Sequence, residues 1–259
     1  MSGNVASQIA SLATRSVVRQ LRQPAHVIPP LLFPMALLMV NAAGLHRSTD
    51  LPGFPTDSFL PFALAVPFIQ GALFATLNGG SDLARDIQSG FLNRLALTPM
   101  RRAAMLLGQL AGVLVVALIS GVIYLAVGFA AGLHVKSGFW GVVVLLVLAM
   151  LIALAFASVG AFIGLRTGSG EAVQGVFPLF FVFLFLSSSS LPRNLIEHEW
   201  FRTIATYNPV SYLFEGLRSL IIFGWQGQAL ELGFLFAGAI ALIGVTGSST
   251  ALRNRLART

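Results

Sequence analysis

Cysteine is absent from this 259-residue sequence, lysine occurs once, and charged residues make up only 10% of the chain. The absence of cysteine excludes disulfide bonds, thiolate catalysis and cysteine-based metal sites. Soluble globular chains carry roughly 25% charged residues, so this chain has too little charge to cover a water-exposed surface. Apolar residues instead reach 56%, and the mean hydropathy is +0.84. These values predict an all-α polytopic membrane protein and disfavour the alternative, a soluble protein with unusually long buried helices.

Ionisable side chains are missing from the interior of the apolar segments. The histidines lie at segment ends or in loops, too scattered to suggest a shared metal ion: His26, His46, His134 and His198. Intramembrane proteases, metal hydrolases and proton-coupled carriers all need ionisable groups inside the membrane. The sequence therefore disfavours these classes, and we predict no metal site and no catalytic residue.

A phosphate-binding loop is missing as well. The one candidate ends in Lys136-Ser137, but Ala130 and Val135 occupy the two positions at which such a loop requires glycine. If nucleotide powers transport here, another polypeptide must hydrolyse it.

Six apolar segments approach or exceed the ~20 residues that a helix needs to cross a bilayer. Their predicted bounds are 27–46, 59–81, 104–131, 138–165, 173–191 and 230–251. When the segments alternate in direction, eleven basic residues fall on one side: Arg15, Arg19, Arg22, Arg85, Arg94, Arg101, Arg102, Arg166, Arg253, Arg255 and Arg258. Five fall on the other side: Arg47, Lys136, Arg193, Arg202 and Arg218. Because basic residues favour cytoplasmic loops, both termini are predicted to be cytoplasmic.

The first residues predict an amphipathic helix over 4–23 that lies on the inner membrane surface. Apolar side chains recur at helical spacing, and Arg15, Arg19 and Arg22 fall on the opposite face. Pro24 ends the pattern. A signal peptide fits these residues poorly, whereas a disordered basic leader is the plainer alternative.

The segment 192–228, between the fifth and sixth predicted spans, is expected to be external. Asn208-Pro209 is typical of a helix start, with a capping side chain followed by proline at the first helical position. Glu215 and Arg218 are spaced to pair at i,i+3. We predict two short re-entrant helices that dip into the outer leaflet.

The segment 83–103 is polar although the chain on both sides of it is apolar. Phe91 and Leu92 share a helical face, Arg94 points elsewhere, and Thr98-Pro99 is a stop signal. A positive-inside loop that only sets topology is one interpretation. The alternative is an amphipathic helix that docks into a groove of a cytoplasmic partner, and the stop signal favours it.

A pattern in this segment resembles the cytoplasmic coupling loop of type-2 ABC exporter permeases: Asp86-x-x-x-Gly90-Phe91-Leu92-x-Arg94-Leu95-x-x-Thr98-Pro99-x-Arg101. It is most similar to the branch of daunorubicin-resistance-like permeases. Asn208-Pro209 with Arg218 resembles the second signature of that family, before the last span. The amphipathic N-terminal helix, the six spans and the length match too, so the resemblance covers essentially the whole chain. Asp86 departs mildly from it, since many relatives carry glutamate there.

The resemblance implies a single permease domain, 1–259, that acts as a half-transporter. Two six-span subunits join in the membrane as a homodimer or a heterodimer, and two ATPase subunits lie below them. ATP and magnesium bind to the ATPase, so no cofactor is expected in this chain. The implied ATPase-coupling residues lie in the N-terminal helix and the loop: Arg15, Arg19, Asp86, Gly90, Phe91, Leu92, Arg94, Pro99 and Arg101.

The fifth predicted span supplies the candidate substrate path. Its aromatic and hydroxyl side chains suit either an amphipathic molecule or a sugar: Phe177, Phe180, Phe181, Ser187 and Ser188. These phenylalanines are equally suited to face lipid and neighbouring helices.

Together these features predict a transporter subunit that exports amphipathic drugs or lipids across a bacterial plasma membrane. Its expected partners are the ATPase, a second permease subunit and membrane lipids, and no nucleic acid is expected. Two alternatives stay open, namely export of a polysaccharide or lipid-linked glycan, and a membrane-integral enzyme.

Overall fold

The computed structural model describes residues 5–96 and 102–256, and within them the chain forms helices and no strand. The helices are α1 Val5–Leu21, α2 Pro24–Gly44, α3 Phe59–Ala63, α4 Ala65–Gln88, α5 Phe91–Ala96, α6 Arg102–Ala130, α7 Gly138–Thr167, α8 Gly170–Phe185, α9 Glu199–Tyr207, α10 Pro209–Arg218 and α11 Gly227–Leu256. Short 3-10 segments lie at His46–Asp50 and Arg193–Leu195, and a π-helical turn follows α10 at Ser219–Phe223.

Five of the described helical segments are long and apolar enough to cross a membrane: Pro24–Gly44, Phe59–Gln88, Met105–Ala130, Gly138–Thr167 and Gly227–Leu256. They agree with five of the six predicted spans and identify a polytopic membrane protein. The fifth predicted span corresponds to α8, which is apolar but has only 16 residues. At 1.5 Å per residue, α8 is about 24 Å long, less than the ~30 Å of a hydrocarbon core.

Helix α4 lies at the centre of the fold because small residues let α7 approach it closely. A methyl group added to Gly79 would come within 2.9 Å of the Ala157 carbonyl oxygen. Gly160 and Gly164 of α7 face the backbone of Thr76 and Gly80 on α4. Glycine at these positions therefore permits backbone contact between the two helices.

Prolines inside α2 explain two buried polar side chains on its neighbours. Pro30 and Pro34 have no N–H, so they leave the carbonyl groups four residues earlier, at His26 and Pro30, without their helical donors. The Asn78 side chain of α4 donates to the His26 carbonyl at 3.0 Å, and the Tyr124 hydroxyl of α6 donates to the Pro30 carbonyl. Since lipid offers no replacement donor, these contacts satisfy α2 where proline cannot.

The boundary between the second span and the polar segment differs from the prediction. The sequence placed the end of the span at residue 81, whereas α4 continues without a break to Gln88. Its polar end therefore belongs to the long helix and not to a separate loop helix. The chain then turns at Gly90, whose φ of +66° suits glycine, and enters the six-residue helix α5. The predicted stop at Thr98-Pro99 lies outside the described residues.

Candidate functional site

Helix α1 packs along α6 because two glycines of α6 leave room for it. Gly108 and Gly112 face Leu12 and Ser16 of α1, where an added methyl group would clash. The Ser16 hydroxyl also donates to the carbonyl of Gln109, at 2.6 Å. The α1 face that carries Leu12, Ser16 and Gln20 is therefore buried against the protein, whereas the apolar side chains of Val18 and Leu21 remain exposed. The basic face of α1 is turned toward the end of α4.

Two arginines of α1 meet two aspartates of α4 in what we call the α1 ion cluster, made of Arg15, Arg19, Asp82 and Asp86. Arg19 lies 3.0 Å from an Asp82 carboxylate oxygen and 2.9 Å from an Asp86 carboxylate oxygen. Arg15 contacts the same Asp86 oxygen at 3.2 Å. Both aspartates are buried, whereas Arg15 remains 37% exposed. The cluster contains two positive and two negative charges and is therefore neutral.

Neutral side chains add hydrogen bonds to the α1 ion cluster. Gln20 donates to Asp82 at 2.5 Å, and Gln109 of α6 donates to Asp86. The Gln20 carbonyl oxygen in turn lies 3.0 Å from Nδ1 of His26. Three helices, α1, α4 and α6, are therefore tied together at one end of the molecule, which we call the α1 end.

Sequence reasoning selected Arg15, Arg19 and Asp86 but did not place Asp82 at a site. A signal was available, because the two arginines are four residues apart on α1 and the two aspartates four apart on α4. Equal spacing puts each pair on one helical face, where the two faces can meet. The glutamines carried no comparable signal.

Helix α5 places its two apolar residues differently from the prediction, which treated both as an anchor for a partner. Leu92 is 1% exposed and packs within the chain in the cluster that contains Leu12 and Met105. Phe91 is half-buried, and its ring lies 3.8 Å beneath the Arg15 guanidinium group. Leu92 therefore fixes α5 to the permease itself.

The polar residues predicted for coupling are divided as well. The Asp86 side chain is used inside the chain, whereas Arg94 is exposed and Gly90 forms the turn before α5. Pro99 and Arg101 lie outside the described residues. The surface left for a partner at this end includes Phe91, Arg94 and part of Arg15.

Asn208 joins the end of α8 to the start of α10. Its side-chain oxygen accepts a hydrogen bond from the Val210 N–H at 2.9 Å, as a helix cap does. Its amide nitrogen donates to the carbonyls of Phe183 and Leu186, at 2.6 and 3.0 Å. Pro209 occupies the first position of α10, so the predicted helix start is observed.

The predicted pairing of Glu215 with Arg218 is wrong. Glu215 pairs instead with Arg193, at 2.6 and 2.9 Å, because the loop after α8 brings that guanidinium group over α10. Arg218 is 4% exposed and donates to the carbonyls of Phe62, Ser188 and Ser189 at 3.0, 2.5 and 2.5 Å. This arrangement joins three segments at the opposite end of α4, which we call the α10 end.

The candidate substrate-path residues do not form one surface. Phe177 and Phe181 contact each other, with ring centroids 5.1 Å apart, and extend to Phe74 and Phe33 at 5.5 and 6.3 Å. Phe180 points to α7, where it meets Phe156.

The two candidate serines lie in the packed turn after α8. The Ser187 hydroxyl donates to the Leu184 carbonyl at 2.5 Å, and the Ser188 N–H donates to the Ser211 hydroxyl at 3.0 Å. Both serines are buried. Within residues 5–96 and 102–256, no group of three metal-ligating side chains comes together.

A model of the ABC-2 type transporter family matches residues 7–222. Among similar proteins is the probable doxorubicin resistance ABC transporter permease protein DrrC of Mycobacterium tuberculosis. It is 23% identical over 198 residues, which cover 76% of this chain and 69% of the relative.

Two further relatives cover similar regions. The daunorubicin resistance ABC transporter permease protein DrrB1 of Streptomyces coeruleorubidus is 24% identical over 172 residues, 64% of this chain and 59% of the relative. The putative transport permease ycf38 of Pyropia yezoensis is 26% identical over 222 residues, 85% of this chain and 75% of the relative.

Proposed function

Since the chain belongs to the ABC-2 type transporter family and is a permease subunit, we propose that it exports amphipathic drugs or lipids across a bacterial plasma membrane. The names of the DrrC and DrrB1 relatives support an amphipathic drug as the substrate class. A separate ATPase, with bound ATP and magnesium, supplies the energy. Two copies of it act on a pair of permease subunits.

The α1 ion cluster is the observation that carries the mechanism. ATP-driven closure of the ATPases has to move helices that lie within the bilayer, through a contact outside it. The α1 ion cluster fastens α1 to α4, and Leu92 fastens α5 to the same end. Because α4 is a continuous helix that lies along α7, a displacement of α1 or α5 moves the centre of the permease with it.

Helix α5 has two sides in this proposal. Leu92 holds the permease, while Phe91 and Arg94 face the ATPase. An apolar anchor that fills a partner's pocket often contributes at least about 2 kcal/mol, whereas an exposed ion pair contributes roughly 0–1 kcal/mol. Phe91→Ala is therefore expected to release or uncouple the ATPase, and Arg94→Ala to weaken the coupling less.

The test uses the permease co-expressed with its ATPase and reconstituted in lipid. Co-purification of the ATPase and drug-stimulated ATP hydrolysis are measured for the wild type, Phe91→Ala and Arg94→Ala, with doxorubicin as the first drug. Leu145→Ala is the matched control, because it removes a fully buried leucine of α7 that packs in a different cluster from α5, and so lowers stability by about 2–5 kcal/mol without altering the partner surface. Unchanged co-purification and hydrolysis in Phe91→Ala would refute the coupling role, and turnover of a substrate by the lone permease would refute the function.

The substrate path is proposed to run along the aromatic group made of Phe33, Phe74, Phe177 and Phe181. These rings come from α2, α4 and α8, and Phe33 is 43% exposed, so a molecule can reach the group from outside the chain. Phe181→Ala is expected to reduce export of aromatic drugs, whereas Phe180→Ala, on the other face of α8, changes packing against α7. Transport assays with both variants separate the two effects.

We propose six crossings, with α8 and the turn after it as the fifth, so that both termini are cytoplasmic. The distribution of basic residues supports this orientation. The chain has no cysteine, so single cysteines at the exposed positions Ser89 and Thr203 can be labelled with an impermeant reagent. Labelling is expected at position 203 in intact cells, and labelling at position 89 would reverse the orientation.

A further inference from the structure

A cavity of about 530 Å³ opens at the α10 end, and we call it the α10 cavity. Apolar side chains form much of its wall, including Phe62, Ile222 and Phe223. Three charged residues also line it, namely Arg193, Glu215 and Arg218. An apolar wall with a few convergent charged groups is typical of sites for small molecules.

Arg218 is buried in this wall although its direct hydrogen-bond partners are neutral. Its three bonds, to the carbonyls of Phe62, Ser188 and Ser189, use three of its five N–H groups. The guanidinium group also lies 3.4 Å from the centroid of the Phe62 ring. Carbonyl groups and an aromatic ring stabilise a cation, but they do not neutralise its charge.

The carboxylate nearest to Arg218 is already paired. Glu215 binds Arg193 through two contacts, at 2.6 and 2.9 Å. The cavity wall therefore carries two positive charges and one negative charge, which leaves one positive charge in excess. Burial raises the pKa of Glu215, against the opposing influence of Arg193 and Arg218, and burial lowers the pKa of Arg218 to about 9. Both shifts have the same main cause, which is burial that keeps water away from the charge.

We propose that the α10 cavity binds one monoanionic headgroup, a phosphodiester or a carboxylate, carried by an apolar tail. A buried cation with no counter-ion is costly, and a single anion removes the imbalance. An oxyanion accepts hydrogen bonds from guanidinium N–H groups in short, strong geometry.

The apolar wall selects an amphiphile over a small inorganic anion. Phe223 lines the cavity and has 46% of its surface exposed, so an apolar tail can lie against it. A free phosphate ion would fill the charged part of the cavity and leave Phe223 exposed to water.

The test measures binding to the purified permease–ATPase complex in neutral detergent, without nucleotide. The probes are monoanionic dihexanoyl-phosphatidylglycerol and zwitterionic dihexanoyl-phosphatidylcholine. The affinity of each probe is measured by isothermal titration calorimetry. We expect the anionic lipid to bind at least about tenfold more tightly, as one unscreened charge at a partly buried site requires. Equal affinities would overturn the proposal.

Two charge variants supply the control that a structural effect cannot imitate. Arg193→Gln lowers the excess charge to zero and is expected to weaken binding of the anionic lipid about tenfold. Glu215→Gln raises the excess to two and is expected to tighten it. Both variants break the same ion pair, so a merely structural role for that pair predicts that the affinity for the anionic lipid changes in the same direction in both. That result would overturn the proposal.

Two further measurements identify the source of the headgroup. If inorganic phosphate bound as tightly as the anionic lipid, the proposal that the ligand is an amphiphile would be overturned. A transported anionic drug that displaces the lipid assigns the cavity to cargo, whereas lack of displacement assigns it to outer-leaflet lipid, and both support the anion site. The position of the cavity at the outer face rests on the proposed orientation, but binding is measured without ATP, so this proposal and the export function fail independently.

Discussion

The two ends of α4 each carry a buried ionic group, and the two groups stabilise their buried charges in different ways. At the α1 end, Arg19 lies within 3.0 Å of both Asp82 and Asp86. At the α10 end, Arg218 donates hydrogen bonds to backbone carbonyls, and the neighbouring Glu215 forms its ion pair with Arg193. The first group is neutral as it stands, whereas the second carries an unmatched charge.

This difference indicates different roles for arginine within one membrane protein. A neutral, hydrogen-bonded group fastens helices together and needs nothing from outside the chain. A buried cation with neutral partners is costly and therefore marks a place where an anion would be stabilised. The comparison suggests that the α1 end is a mechanical joint and the α10 end a binding site. Four variants test it, in order of expected effect.

Asp86→Asn is expected to have the largest effect. The substitution leaves Arg15 and Arg19 with one carboxylate between them, and removal of one partner from a buried ion pair destabilises by about 3–5 kcal/mol. We expect about 3 kcal/mol, because Arg15 is partly exposed. The free energy of unfolding is measured by SDS titration in mixed micelles. Asp86→Glu keeps the charge and is the matched control, and equal losses in both variants would contradict the ionic role.

Arg218→Gln is expected to destabilise by about 2 kcal/mol, less than Asp86→Asn. Three buried carbonyls lose hydrogen bonds, but the substitution also removes an unmatched charge from a buried site, and the two effects partly offset each other. The same unfolding measurement applies. A loss larger than that of Asp86→Asn would mean that the charge at the α10 end is already compensated within the chain.

Tyr124→Phe tests a buried contact that carries no charge at all. The hydroxyl of Tyr124 donates to the carbonyl that Pro34 leaves without a donor. Such hydrogen bonds in membrane proteins contribute about 0.6 kcal/mol on average and rarely more than about 1.7 kcal/mol. We expect a loss in this range in SDS titration. Tyr207→Phe, at a side chain that is 81% exposed, serves as the control and should leave stability unchanged.

Glu199→Gln is expected to change stability least. The ion pair between Glu199 and Arg202 is exposed, with 89% and 46% of the two side chains accessible, so water and salt screen it. We expect no shift of the unfolding midpoint beyond experimental error. A clear destabilisation would show that an exposed ion pair also stabilises this protein, and that burial does not set the strength of its ion pairs.

Local sequence signals were enough for elements whose cause is local. The amphipathic pattern of residues 4–23 matches α1, and Asn208-Pro209 starts α10 as predicted, because a cap and a proline act within one turn. Five predicted apolar segments matched long helices, because length and apolar composition are also local properties of the sequence. The end of the second span was misplaced because Asp82 and Asp86 look like loop residues until Arg15 and Arg19 are seen to neutralise them.

By itself, the sequence determined that the chain lies in a membrane, which segments are helical and which family its motifs resemble. These properties depend on composition and on spacing along the chain, and both can be read without knowing what touches what. Only the tertiary structure decided that Leu92 is buried, that Glu215 pairs with Arg193 and that Arg218 is left with carbonyl partners. Charge pairing and burial depend on contacts between residues far apart in the chain. Local spacing assigned Glu215 to Arg218, three positions away. In the fold, the loop after α8 instead brings Arg193, 22 positions away, to Glu215, and these two residues form the ion pair.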